Sequence, residues 1–311
     1  MTTTKPRYPQ AILVSCEIPW DENENLLEDV FRHSVQTTLE QFNHLYIFGT
    51  AGEGYAVNTS QFQRIVNIFY DETRGDDVHP MVGLIGMSTA IIVEKLHYAY
   101  DVGFRIFQVS LPSWGTLTDA EVMTFFQAVC GVYPDAQFLH YNLPRAGRVL
   151  EASDYRPLVD AIPNLVATKN TGGGHTRAAA LVSQVGELQH FLGEGNLLQG
   201  CLYGECSLLA TFGSLSPLKV KTYFEAAQQN DFATMLTLQQ GFHDLLMDLF
   251  AELVGERRID GAYDKLWVRL GGFEDMTLRL LSPYHGFSET QFQACKRLLH
   301  NKYADWLSLR E

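Results

Sequence analysis

Eight short apolar runs, rich in β-branched and aromatic residues, recur along the first two-thirds of this 311-residue chain. They are Ala11–Cys16, Leu45–Phe48, Pro80–Gly86, Arg105–Ser110, Gln137–Tyr141, Asn164–Lys169, Gln189–Leu192 and Cys206–Phe212. Each is bounded by Gly, Pro, Asn or Asp, as strands are. The intervening segments have helical spacing. Leu26, Val30, Val35 and Leu39 fall on one face of a helix over Leu26–Gln41, and Phe62, Ile65, Val66 and Phe69 do so after an N-cap at Thr59 or Ser60. Thr118-Asp-Ala-Glu121 has the form of a capping box and opens a helix through Val129. Strands alternating with helices, and no Gly/Ser linker, predict a single (β/α)8 TIM barrel; a doubly wound parallel sheet is the competing arrangement. From about Lys219 the strand signals stop, and Thr222–Gln229, Phe232–Leu253, Tyr263–Leu270 and Ser288–Leu307 read as helices. The expected division is therefore a barrel over residues 1–219 carrying the active site, with C-terminal helices over 220–311 packed on its outside.

Charge and composition narrow the functions. A net charge of −13 lacks the positive footprint that nucleic acid requires. No apolar stretch approaches the ~20 residues of a membrane span. The start, MTTTKPRYPQ, has no apolar core of a secretory signal, so Thr2–Pro9 reads as a loose arm. Five scattered cysteines, of which only Cys201 and Cys206 are close, indicate neither a disulfide framework nor a zinc site. Reduced thiols in a cytoplasmic protein are expected. Ten scattered histidines form no metal motif, and no nucleophile elbow or phosphate loop occurs, so neither a metal nor a cofactor is expected.

In a barrel, chemistry sits at the C-terminal ends of the strands. Three polar residues fall there: Thr50 after strand 2, Tyr141 closing strand 5 and Lys169 closing strand 6. Desolvating a lysine favours its neutral amine, which can attack a carbonyl, although the same lysine could snorkel to the rim. A tyrosine at a strand end is often an amphipathic edge residue, but its phenol can shuttle protons. Gly49-Thr50-Ala51-Gly52-Glu53 is either a plain turn or a loop whose amides hold a carboxylate.

Together the three segments resemble the dihydrodipicolinate synthase/N-acetylneuraminate lyase family of class I aldolases. Gly49–Glu53 is similar to that family's G-[TS]-T-G-E loop, which binds the carboxylate of pyruvate. Tyr141-Asn142-Leu143-Pro144 is similar to its Y-N-x-P segment, and Thr168-Lys169 to the segment that supplies the Schiff-base lysine. The lysine follows the tyrosine by 28 residues, as the family pattern has it. Gly193-Glu194-Gly195, Gln229–Phe232 and Ala262–Leu266 extend the likeness along the chain. The resemblance implies catalysis by Lys169, Tyr141 and Thr50. It implies substrate contacts from Gly49, Ala51, Gly52, Glu53, Trp114, Arg145, Thr171, Gly193 and Leu209. It also implies a homotetramer or dimer, in which the loop of Trp114 approaches a neighbour's site.

The departures bear on the second substrate. Ala51 stands where the loop has its second threonine. Pro112-Ser113-Trp114 stands where the synthases have P-Y-Y, and an indole cannot relay a proton as a phenol does. Neither Arg145 nor Arg148 falls in the register of the arginine that holds the synthases' aldehyde carboxylate. Thr171 matches the lyases, but Gly195 and Asn196 replace their acidic polyol acceptors. The expected activity is an enamine reaction between Lys169-bound pyruvate, or another 2-oxo acid, and an aldehyde. The alternatives are a binding or regulatory homologue without turnover, and a Schiff-base dehydratase or decarboxylase of a sugar-derived 2-oxo acid.

Overall fold

The computed structural model describes residues 6–255 and 257–307. Its strands are β1 (Ile12–Ser15), β2 (His44–Ile47), β3 (His79–Leu84), β4 (Ile106–Val109), β5 (Gln137–Asn142), β6 (Leu165–Asn170), β7 (Gln189–Gly193) and β8 (Ser207–Leu209). They close in chain order into a parallel barrel, as the alternation predicts. Seven helices connect or follow the first strands: α1 (Glu28–Leu39), α2 (Thr59–Glu72), α3 (Thr89–Val102), α4 (Asp119–Cys130), α5 (Ala152–Ala161), α6 (Gly174–Gln184) and α7 (Glu194–Cys201). After β8 come α8 (Pro217–Gln229), α9 (Phe232–Glu252), α10 (Asp260–Leu270) and α11 (Glu289–Lys302), with no further strand among the described residues. Parallel strands covered on both faces are apolar throughout rather than alternating, which is why the eight runs read as continuous.

The chain divides into two compact units. One comprises the described residues up to Leu13 with His79–Leu209; the other comprises Val14–Val78 and the described residues from Ala210 onward. In the first, β4 pairs with β3 and β5, and β7 pairs with β6 and β8. In the second, Phe242 of α9 stacks on Phe212 with centroids 5.5 Å apart and meets Tyr223 of α8 at the same separation and Trp306 at 5.1 Å. Phe242 is thus a core residue, whereas Phe250 of the same helix is exposed.

Several boundaries differ from the sequence reading. The N-cap of α2 is Asn58, not Thr59 or Ser60. Its side chain accepts from Gln61 N at 2.9 Å, and Gln61 Oε1 accepts from Asn58 N at 3.0 Å, a complete capping box. The box at Thr118 and Glu121 forms as expected. α8 begins five residues before the predicted Thr222 because Pro217 fits a first helical turn. Of the arm Thr2–Pro9, residues 2–5 lie outside the described residues, and the remainder is anchored rather than loose. Arg7 pairs with Glu205 at 2.8 Å, and buried Tyr8 donates its amide to Val166 O at 3.2 Å. The five cysteines are buried and free, with the Cys201 and Cys206 sulfurs 3.4 Å apart. Among the described residues no helix is long and apolar enough to cross a membrane.

Candidate active site

β5 and β6 pair so that Tyr141 lies opposite Lys169. Side chains alternate along a strand, so these two share one face while Thr168 and Asn170 take the other. On the first face Lys169 Nζ sits 3.9 Å from the centroid of the Tyr141 ring and donates to Gln108 Oε1 of β4 at 3.1 Å. All three are sealed from water: Lys169 is 1% exposed, Tyr141 3% and Gln108 1%. A phenol face and an amide oxygen both favour the nitrogen's positive end, which fixes where the amine points.

The opposite face explains how these strand ends are held. Thr168 Oγ1 hydrogen-bonds His190 Nδ1 at 2.7 Å and accepts from Asn170 Nδ2 at 2.7 Å. His190 Nε2 donates to Val185 O at 3.0 Å, so Nδ1 is the acceptor of a neutral ring. Burial pushes that imidazole down to about 4, in keeping with this tautomer. Asn170 Oδ1 accepts from Asn142 Nδ2 at 3.1 Å, and Asn142 Oδ1 accepts from Leu150 N at 2.8 Å. A fully paired network thus ties β5, β6 and β7 together directly behind Tyr141 and Lys169.

The other predicted residues of this unit distribute around the same strand ends. Gly193 ends β7 in register with Leu209, which ends β8. Thr171 follows β6, half-buried, its amide on Asn142 O at 3.4 Å. Trp114 stands on the loop between β4 and α4 and is 86% exposed, and Arg145 is exposed on a 3-10 turn, Pro144–Ala146. Arg148 is committed elsewhere: it bridges Leu117 O, Asp119 and Asp154 at 2.9, 2.5 and 3.1 Å. Glu194 opens α7 and is buried, whereas Gly195 is exposed.

The Gly49–Glu53 loop belongs to the second unit. Phe48, Gly52 and Glu53 have φ of 60°, 71° and 55°, a left-handed path that only Gly52 adopts without strain. A Cβ on Gly54 would lie 2.5 Å from Phe48 O, so the turn closes on itself too tightly for any other residue. Thr50 and Ala51 are buried. Glu53, wholly buried, accepts from Trp20 Nε1 at 2.9 Å, Lys265 Nζ at 2.6 Å and Leu281 N at 2.7 Å. Its side chain therefore anchors the loop. Glu17 accepts from Gly52 N at 2.8 Å and from Ser15 Oγ at 2.5 Å. Burial raises the Glu17 carboxyl, against the pull of those donors and of Lys265. Burial likewise lowers Lys265, against the pull of Glu53.

Sequence reasoning missed Gln108, Glu17 and Trp20, and saw Lys265 only as part of a helix motif. For Gln108 the available signal was an amide inside an otherwise apolar strand run; Glu17 and Trp20 lie beyond the first run and carried no such mark.

A closed parallel barrel, with a sealed lysine and tyrosine paired at adjacent strand ends, makes this a TIM-barrel protein. The chain belongs to the dihydrodipicolinate synthetase family, which matches it over residues 9–268, a family of aldolase-type lyases. An N-acetylneuraminate lyase of Clostridium perfringens is 22% identical over 242 residues, 77% of this chain and 82% of that protein. A 4-hydroxy-tetrahydrodipicolinate synthase of Methylobacterium radiotolerans is 28% identical over 235 residues, 72% and 76% of the two chains. Among solved structures, the prophage protein YagE of E. coli K12 in complex with pyruvate superposes with a TM-score of 0.82 at 16% identity, covering 94% of this chain and 98% of that one. The N-acetylneuraminate lyase of Fusobacterium nucleatum does so at 0.81 and 18%, with the same coverage. These structural likenesses bear on the fold.

Proposed function

We propose that the protein is a Schiff-base lyase acting on pyruvate or a related 2-oxo acid, making or breaking a C–C bond with an aldehyde. The observation that carries this reading is Lys169 Nζ, sealed at the end of β6 against the Tyr141 ring and Gln108, in a chain of this family. Nζ attacks the ketone carbon, and the carbonyl oxygen takes up protons and leaves as water, giving an iminium. Loss of a C3 proton gives the enamine, whose C3 adds to the aldehyde carbon while the aldehyde oxygen is protonated. Hydrolysis then frees the lysine. Tyr141 carries protons in both dehydration and hydrolysis, with help from Thr50. Amides of Thr50 and Ala51 hold the carboxylate in a loop anchored by Glu53. The lysine itself supplies the covalent chemistry, so no cofactor is invoked. Homo-oligomer assembly, as a tetramer or dimer, belongs to the same proposal and is read by sedimentation.

Borohydride reduction in the presence of pyruvate tests the reading. A reduced pyruvyl adduct is expected on one lysine, mapped to Lys169 and absent in Lys169→Ala. Tyr141→Phe should slow trapping by about 10²-fold or more, with pyruvate affinity retained. Labelling at another lysine, or undiminished trapping in Lys169→Ala, overturns it.

A further inference from the structure

Gln108 is a buried carboxamide whose neighbours in register are Gly83 on β3 and Leu139 on β5. Its Oε1 receives Lys169 Nζ at 3.1 Å. Donation from Nζ occupies Oε1 and leaves Nε2, the other polar atom of the same carboxamide, for a second partner. Among the described residues, that buried Nε2 has no hydrogen-bond partner. An unpaired buried donor destabilises the fold, and a leucine of similar shape would avoid the cost altogether. The donor therefore points to a ligand.

We propose that Gln108 is a specificity-determining residue: its Nε2 donates to an oxygen on C3 of the ketone held at Lys169, so the site prefers a 3-hydroxy-2-oxo acid to pyruvate. This rests on Lys169 being the imine-forming amine. The nitrogen and oxygen of a carboxamide lie about 2.2 Å apart, so an adduct on Nζ that spans both atoms meets Nε2 through an acceptor two or three bonds from Nζ. Such an oxygen sits on C2, or on a carbon bonded to C2. The C2 oxygen leaves as water when the imine forms, and in the proposed reaction the C1 carboxylate goes to the loop amides. C3 remains. The iminium nitrogen keeps one hydrogen, which stays on Gln108 Oε1, while Nε2 donates to the C3 hydroxyl. One carboxamide thus contacts the adduct at two adjacent points, and the contact persists through the enamine. Pyruvate offers only a methyl group there and leaves Nε2 unpaired.

The experiment is reductive trapping with cyanoborohydride, comparing pyruvate with hydroxypyruvate in wild type and Gln108→Leu. Adducts are followed by intact mass and peptide mapping, and each ketone is normalised to its trapping by a simple primary amine. Wild type should trap hydroxypyruvate about tenfold more efficiently than pyruvate, because a site built around a hydrogen bond discriminates against the analogue lacking it. In Gln108→Leu both ketones lose the Oε1 contact, which cancels in the ratio, so the ratio should fall about tenfold; near-ultraviolet circular dichroism reports that the variant is folded. Should the variant not fold, the wild-type ratio decides alone. A wild-type ratio at or below one, or a ratio unchanged in a folded Gln108→Leu, overturns the proposal while leaving the Schiff-base reading intact. Absence of any adduct with either ketone overturns both.

Discussion

Replacing Glu53 with alanine removes a single acceptor on which three buried donors converge. Trp20 Nε1, Lys265 Nζ and Leu281 N, at 2.9, 2.6 and 2.7 Å, all lose it at once. Breaking a buried ion pair by deleting one partner costs about 3–5 kcal/mol, because the other charge is stranded. Each neutral donor left unpaired adds about 1–3 kcal/mol. Lys265 partly relieves the cost by releasing its proton, toward which burial already biases it, and by keeping its bond to Arg279 O. The net loss should be about 5 kcal/mol. At roughly 2–4 °C per kcal/mol for a chain of this size class, Tm should fall by about 10–20 °C. Glu53→Gln keeps an acceptor but not the charge and should fall between wild type and alanine. Thermal melts by near-ultraviolet circular dichroism, paired with urea melts, measure all three proteins. A Glu53→Ala melt within about 2 °C of wild type would refute the anchoring role.

Three further outcomes follow from the same physics. Burial raises the Glu17 carboxyl above 4.5, so the folded chain keeps a proton that the unfolded chain releases. Stability is therefore lost as pH rises from 4.5 toward the raised value, and Glu17→Gln should gain Tm relative to wild type between pH 4.5 and 8; a constant difference across that range would contradict this. His140 and His190, pushed down by burial to about 3 and about 4, stay neutral while the unfolded chain charges them below 6.5. Stability should thus fall with pH below 6.5, and His140→Gln should make that slope shallower in melts taken from pH 7 to 4, whereas an unaltered slope would count against the assignment. With Trp114 in place of a relay tyrosine, and Gly195 and Asn196 in place of acidic acceptors, both aspartate semialdehyde and sialic acid should react about ten- to hundredfold less efficiently than a preferred aldehyde or adduct. Rapid turnover of either in a coupled pyruvate assay would show that other residues supply those contacts.

Much of the fold is legible in the sequence because it is written in local periodicity. A strand run reads as buried because its residues are apolar throughout, and the Thr118–Glu121 box reads as a helix start because both partners lie within one turn. Asn58 was overlooked at α2 because Thr59 and Ser60 are equally good caps by composition, and only the backbone path decides among them. Lys169 and Tyr141 were recognisable singly, as polar groups ending apolar strands, and together through the family pattern. The pairing of β5 with β6 makes them neighbours.

Gln108, by contrast, is an unremarked polar residue in a strand run until the strands are assembled. Its side chain meets an amine 61 residues away, and Glu53 meets donors 212 and 228 residues away. Sequence by itself determined the elements, their order and the motif positions of Lys169 and Tyr141, since those depend on spacing within a few turns or on matched motifs. Tertiary structure alone decided which polar groups share a desolvated space. A side chain's partner across a barrel depends on register and closure, and its burial depends on everything packed around it, neither of which any local stretch of residues encodes.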